Sequence, residues 1–300
     1  MDLKEIKSVR VVPYTIMNSS IGAIWAFIFA LLILIFAGAI SSALPAEVRS
    51  LGGIITGISV VGLVVLPVGV FLLSIVESFL WAYIYNGLTP RLGGIKLALI
   101  AMEKVESFDI VSTSLILSAV AALLNFIYQL LAAPLQWIFF NTVANIAKTV
   151  EPSAVSSMAA VGSATALGTV INIVLTPVMT FIASFVIIAI GLLLYNFLAP
   201  RITPIKLKLS EFGEGLVSID GIEAIPLGLI TGSIAAVLGL IVGLIALIIL
   251  AIAGEYTAGI LILVALTVGA FIWAFIAYAV TALFYNVLAP RIGAVQIRLE

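Results

Sequence analysis

"YNVLAPRIG" runs from Tyr285 to Gly293, and nearly the same string occurs twice before it. "YNGLTPRLG" spans Tyr85–Gly93 and "YNFLAPRIT" spans Tyr195–Thr203. The intervals between the tyrosines are 110 and 90 residues. Self-similarity at such a period points to an internal repeat. The match extends upstream: "LPVGVFLLSI" (Leu66–Ile75), "TPVMTFIASF" (Thr176–Phe185) and "LTVGAFIWAF" (Leu266–Phe275) lie at the same offset from Tyr. Pro67 and Pro177 coincide there, with Thr267 in the third copy.

The rest of each copy is fainter. "IKSVRVV" (Ile6–Val12), "VESFDIV" (Val105–Val111) and "LVSIDGI" (Leu216–Ile222) open the copies, and "IKLAL" (Ile95–Leu99), "IKLKL" (Ile205–Leu209) and "VQIRL" (Val295–Leu299) close them. Alternating apolar residues mark half-buried strands. Each copy then reads strand, helix, outer connection, helix, strand. The units are 1–100, 101–210 and 211–300, the second carrying an extra outer segment, 135–153. In that segment Trp137, Phe140, Ala144 and Ala147 recur at helical spacing, which fits a surface amphipathic helix or a partner-docking element.

Composition sets the solvent. The chain of 300 residues is 64% hydrophobic and 9% charged. Soluble chains are typically about 45–50% apolar and about 25% charged, and runs of 20 or more apolar residues indicate membrane spans. We expect six spans at roughly 15–40, 67–88, 110–133, 177–198, 226–253 and 267–288, with the first retained and not cleaved as a signal peptide. The fold class is therefore an all-α polytopic membrane protein of three tandem two-helix repeats about a pseudo-threefold axis. The apolar runs continue outward through 54–66 and 157–175. Either these belong to long helices kinked at Pro67 and Pro177, or they are separate half-helices.

Charge distribution gives an orientation. Eleven of the 13 Lys and Arg residues fall on the side of the strands, and only Arg49 and Lys148 on the other. The excess of positive charge marks the cytoplasmic side, so both termini are expected there, in a plasma membrane. Ile95–Leu99 and Val105–Val111, like Ile205–Leu209 and Leu216–Ile222, then form cytoplasmic hairpins between successive copies. The first and last strands remain over on the same side. Their pairing would close a small six-stranded barrel with no free edge.

The repeated phrase sits where a helix leaves the membrane. Tyr is expected to anchor at the interface, Asn to end the helix, and Pro to stop it. Arg would reach helix-end carbonyls and headgroup phosphates. The functional alternative is that Arg91, Arg201 and Arg291 form a basic ring for a lipid headgroup or another anion.

Few polar residues lie within the spans. Glu77 has Ile187 and Ala277 as its counterparts and so breaks the repeat. Intramembrane acids are costly and often functional, although one near the interface or bonded to a neighbouring helix is structural. Asn125 and Gln129 share a helix face; with Asn172 they either bond helices together or line a polar path. Gly53-x-x-x-Gly57 and Gly239-x-x-x-Gly243 fit close helix packing.

The chain has no Cys and no His. That excludes disulfides, thiolate metal sites, cysteine nucleophiles and histidine relays. No basic block suits nucleic acid, and no cofactor is implied.

"YNGLTPRLGGIKLAL" (Tyr85–Leu99) resembles the end of a loosely defined prokaryotic family of small two-helix transmembrane domains of unknown function. The other copies depart from its Gly-Gly, with Thr203-Pro204 and Gly293-Ala294. The resemblance implies the two-helix unit and no activity. Mitochondrial carriers also have three repeats and six helices. Their Pro-x-acid-x-x-base motif on odd-numbered helices is missing here, where proline sits on even-numbered ones.

Two functions follow as expectations. One is a non-catalytic scaffold or accessory subunit of a larger membrane complex with bound lipids. The other is a transporter or channel for a small solute or ion along the axis or near Glu77. A lipid-acting enzyme is disfavoured without His, Cys or paired acids.

Overall fold

The computed structural model describes residues 2–45, 49–150, 155–213 and 215–300. Strand β1 (Asp2–Val9) precedes helices α1 (Val11–Ala43) and α2 (Arg49–Leu92). Strands β2 (Ile95–Ile100) and β3 (Lys104–Phe108) lead to α3 (Ile110–Val150) and α4 (Val155–Leu198). Strands β4 (Ile205–Gly213) and β5 (Leu216–Ile222) lead to α5 (Ala224–Ile252). Helix α6 (Tyr256–Val264), a π-helical turn (Ala265–Gly269) and α7 (Ala270–Ile292) form the return, followed by β6 (Val295–Leu299).

Six of these helical stretches are long and apolar enough to cross a membrane. At 1.5 Å per residue, the 29 residues of α5 span about 43 Å and the 44 of α2 about 66 Å. A bilayer core is about 30 Å thick, so both helices are longer than the core they could cross.

The strands form a closed antiparallel barrel in chain order, β1 through β6. The expected pairing of first and last strands is present, with Ile6 facing Leu299 and Val9 facing Ile297. Glu5 N donates to Glu300 O at 2.8 Å, and Glu300 N to Glu5 O at 3.0 Å. Closure leaves no edge exposed for pairing with another chain. The β2–β3 turn is tight: Ala101 and Met102 both take positive φ, 52° and 53°, where glycine or asparagine is usual.

The long apolar runs are continuous helices, not half-helices. Pro67 lies inside α2 and Pro177 inside α4. Each removes one backbone donor, a loss that neighbouring helices and local adjustment can offset in a membrane. Thr267, at the matching offset in the third copy, lies in the π-helical turn, so the ladder is disturbed at that level by another means. Residues 135–150 also differ from expectation. They continue α3 past Pro134 and are not a separate surface helix; residues 151–153 lie outside the described part.

Helices pack in consecutive pairs: α1 on α2, α3 on α4, and α5 on α6 and α7. Small residues set the seams. A Cβ on Gly239 would come within 2.0 Å of Leu266 O, and one on Gly243 within 2.9 Å of Leu263 Cδ1. Gly53 and Gly57 have nothing within 4 Å, so that motif is not a close-packing seam; Gly52 packs on Ser41 instead. Neighbouring pairs touch less, as α2 on α3, α1 on α7 and α4 on α5.

The core sits where barrel and helices meet. One buried cluster joins Val9, Val295 and Ile297 of the strands to Met17, Tyr85, Ile116, Val120 and Tyr285 of the helices. A second joins Leu97, Leu99 and Val105 to Tyr195, Ala199 and Ile230. Ile6, Ile95 and Leu299 pack against both, so the two clusters run together.

Candidate functional site

The repeated Tyr-Asn phrase is a clamp between helix and barrel. Tyr85, Tyr195 and Tyr285 are 0%, 4% and 6% exposed, too buried for the interface anchors expected from sequence. The Tyr85 hydroxyl donates to Ile6 O at 2.6 Å and accepts from Ile95 N at 3.0 Å. Ile6 and Ile95 face one another at the end of the β1–β2 ladder, so one hydroxyl ties two strands together. Tyr195 does the same for Val105 O and Ile205 N, and Tyr285 for Ile219 O and Val295 N. A phenol is suited to this because it donates and accepts at once.

The asparagine beside each tyrosine holds the strand end. Asn86 Oδ1 accepts from Val9 N and its Nδ2 donates to Val9 O, both at 2.8 Å. Asn196 makes the same pair with Phe108, and Asn286 with Ile222. Each side-chain amide imitates a backbone neighbour at the point where a strand turns into the first helix of its pair. The asparagines therefore do not end their helices. Helices α2 and α7 continue past them through Pro90 and Pro290.

The three arginines lie at the barrel end of the helices, and all are exposed. Arg91 Nη1 donates to Gly87 O at 3.0 Å. Arg201, in the turn just past α4, bonds Phe197 O, and Arg291 bonds Val287 O, each four residues back in the chain. The Arg201 guanidinium also lies 3.8 Å over the Phe197 ring. A guanidinium has five N–H donors, so each retains capacity for a phosphate.

Counting from the clamped strand residue exposes a feature missed in the sequence. Met17, Ile116 and Ile230 each lie eight residues beyond Val9, Phe108 and Ile222, and are 2%, 0% and 0% exposed. They put three large apolar side chains on the first helices of the three pairs, just above the barrel. The copy openings read from the sequence put Ile219, not Ile222, level with Val9 and Phe108, so the third copy was three residues out of step.

The polar candidates are dispersed. Glu77 is exposed on α2 and belongs to no ion pair among the described residues, where Lys7–Glu5 and Lys206–Glu223 are the pairs formed. Its neighbour Ser78 accepts from Asn18 Nδ2 at 2.6 Å, bonding α2 to α1. Asn125 has a buried side-chain oxygen without a hydrogen-bond partner. Gln129 is half-buried one turn further along α3, and Asn172 is exposed on α4. No hydrogen bond joins any two of these three among the described residues. No group of three or more Asp or Glu gathers among them either.

Outside the barrel, Glu5 ties the first strand to the end of α2. Its carboxylate accepts from Gly94 N at 2.5 Å and pairs with Lys7 at 3.0 Å. The Gly94 hydrogen bond holds its pKa below the ordinary value, against partial desolvation and with help from Lys7.

The chain was compared with protein-family models, with curated proteins and with solved structures, and none of them matches it.

Proposed function

We propose that this chain is a non-catalytic integral membrane protein, a scaffold or accessory subunit of a larger membrane complex with bound lipids. In this reading it consists of three tandem two-helix repeats about a pseudo-threefold axis. It lies in a plasma membrane with the barrel and both termini on the cytoplasmic side. The arginines Arg91, Arg201 and Arg291 then face the anionic headgroup layer of that side.

The observation that carries the reading is the apolar packing around the barrel mouth. Met17, Ile116 and Ile230 are fully buried there, above a barrel whose strands contribute Leu97, Leu99, Val105, Val295 and Ile297 to the same core. A barrel of about eight strands has an interior just wide enough for side chains to fill, and six strands enclose less. This favours a support over a conduit. The broad apolar outer faces of α2 and α4 suit contact with lipid and with other membrane-embedded chains.

The transport reading keeps one specific observation, the unpaired Asn125 oxygen within a spanning helix. The test of the subunit reading is gentle solubilisation of native membranes followed by native mass measurement. Other polypeptides at a constant ratio to this chain are the expected result. A lone chain, or a homo-oligomer without other polypeptides, would overturn it.

A further inference from the structure

A cavity of about 310 Å³ lies between α1 and α7, lined by Trp25, Phe29, Trp273, Ala277, Tyr278 and Thr281. We propose that it is a binding groove for one hydrocarbon chain of a membrane lipid. The proposal rests on the membrane-spanning reading of these helices, and not on the subunit reading.

The groove walls are built, not incidental. Trp25 Nε1 donates to Thr281 Oγ1 at 3.0 Å and fixes the indole across the seam. Phe284 meets Trp25 edge-on at 5.7 Å, and Phe29 lies 5.8 Å from Trp25 and 6.4 Å from Trp273. The rings thus hold one another while Trp273 and Tyr278 remain 63% and 50% exposed.

The α4–α5 seam does without these rings, whereas the α2–α3 seam has Trp81 and Tyr128 at the places of Thr281 and Phe29. Counted from the clamp tyrosine, Trp273, Ala277, Tyr278 and Thr281 correspond to Ala183, Ile187, Ile188 and Gly191 on α4. Counted from the clamped strand residue, Trp25 and Phe29 correspond to Leu238 and Val242 on α5. The α4–α5 seam is therefore aliphatic, and the fold forms it without aromatic walls. The rings at α1–α7 exceed what closing the barrel requires.

Chemistry and place select the occupant. Thr281 is already engaged, and the buried polar atoms that lack partners, on Thr15, Ser114 and Asn125, lie elsewhere among the described residues. No free buried donor or acceptor there selects a polar ligand. The groove lies between two spanning helices, where bilayer chains are the surrounding solvent.

Ala277 is half-buried at the groove wall, so Ala277→Trp fills the space with little change to the helix seam. The test is native mass measurement of the full chain after detergent exchange, with and without Ala277→Trp. The expected result is one retained lipid on the wild type and at least tenfold lower occupancy on the variant. A companion measurement uses vesicles of chain-brominated phosphatidylcholine with the Trp81→Phe/Trp137→Phe double variant, leaving Trp25 and Trp273 as reporters. Emission should be quenched, and Ala277→Phe should relieve the quenching at least twofold. Equal lipid retention by wild type and a folded Ala277→Trp, or quenching unchanged by Ala277→Phe, would overturn the proposal. Co-purification of other polypeptides bears on the subunit reading alone.

Discussion

Asn196 closes two hydrogen bonds on the backbone of Phe108, 88 residues earlier: Oδ1 accepts from Phe108 N at 2.9 Å and Nδ2 donates to Phe108 O at 2.8 Å. Substitution by alanine leaves a backbone donor and acceptor unpaired at a half-buried site. Asn196→Ala should lower stability by about 2 kcal/mol, the order expected for unsatisfied polar groups. Asn286 makes the same pair at an exposed position where water can replace it, so Asn286→Ala should cost clearly less. Denaturant unfolding of the two variants in one detergent checks the ranking.

Tyr195 spans the weakest joint of the barrel. The β3–β4 ladder has two facing pairs, Lys104–Lys206 and Val105–Ile205, whereas β1–β2 has five. Removing the hydroxyl unpairs Val105 O and Ile205 N where few neighbouring bonds hold the strands. Tyr195→Phe should therefore destabilise more than Tyr85→Phe, by about 1 kcal/mol of difference. Amide exchange at Ile205 should accelerate in Tyr195→Phe, while exchange at Ile95 stays slow.

Gly94 has no room for a side chain. An added Cβ would lie 2.1 Å from Ile6 O, a backbone atom that cannot move without breaking the Tyr85 clamp. Gly94→Ala should cost about 3 kcal/mol, at the upper end of overpacking effects. Gly87→Ala is the control: nothing lies within 4 Å, and alanine favours the helix by about 0.5–1 kcal/mol. Opposite shifts of the unfolding midpoint are expected.

Glu5 makes the tie between the first strand and the end of α2 sensitive to acid. Its folded pKa is depressed, chiefly by the Gly94 hydrogen bond, so the folded state favours the charged form. Its contribution is fully present above the ordinary glutamate pKa of about 4.3 and fades as pH falls through the lower folded value. Glu5→Gln should be less stable than wild type at neutral pH, and the gap should narrow below about pH 4. Thermal unfolding of both proteins across that range measures it; a gap that widens in acid would contradict the assignment.

Much of the architecture was legible in the sequence because membranes restrict the choices. Long apolar runs become helices, and alternation at Ile95–Leu99 or Val295–Leu299 becomes strands. Two leftover strands on one side have an obvious partner in each other. The chemistry of the Tyr-Asn phrase was not legible. Each tyrosine has one partner ten residues later, but the other partners of the phrase lie 64 to 90 residues earlier in the chain, and nothing local distinguishes a clamping tyrosine from an interfacial one. Proline misled at the helix ends for a related reason. Pro90 falls in the last turn of α2, where the interrupted ladder is near its end and Arg91 bonds Gly87 O. The fate of 135–150 depended on whether α3 stops at Pro134, which a proline in an apolar helix does not decide.

Solute flux tests the central claim most directly, that the barrel and its three helix pairs form a closed support. The purified chain is reconstituted in liposomes, and efflux of small ions and neutral solutes is measured beside protein-free vesicles and a Glu77→Gln variant. The account predicts no flux above the protein-free background for either form. Saturable, solute-selective flux in the wild type, lost in Glu77→Gln, would contradict it and establish the transport reading.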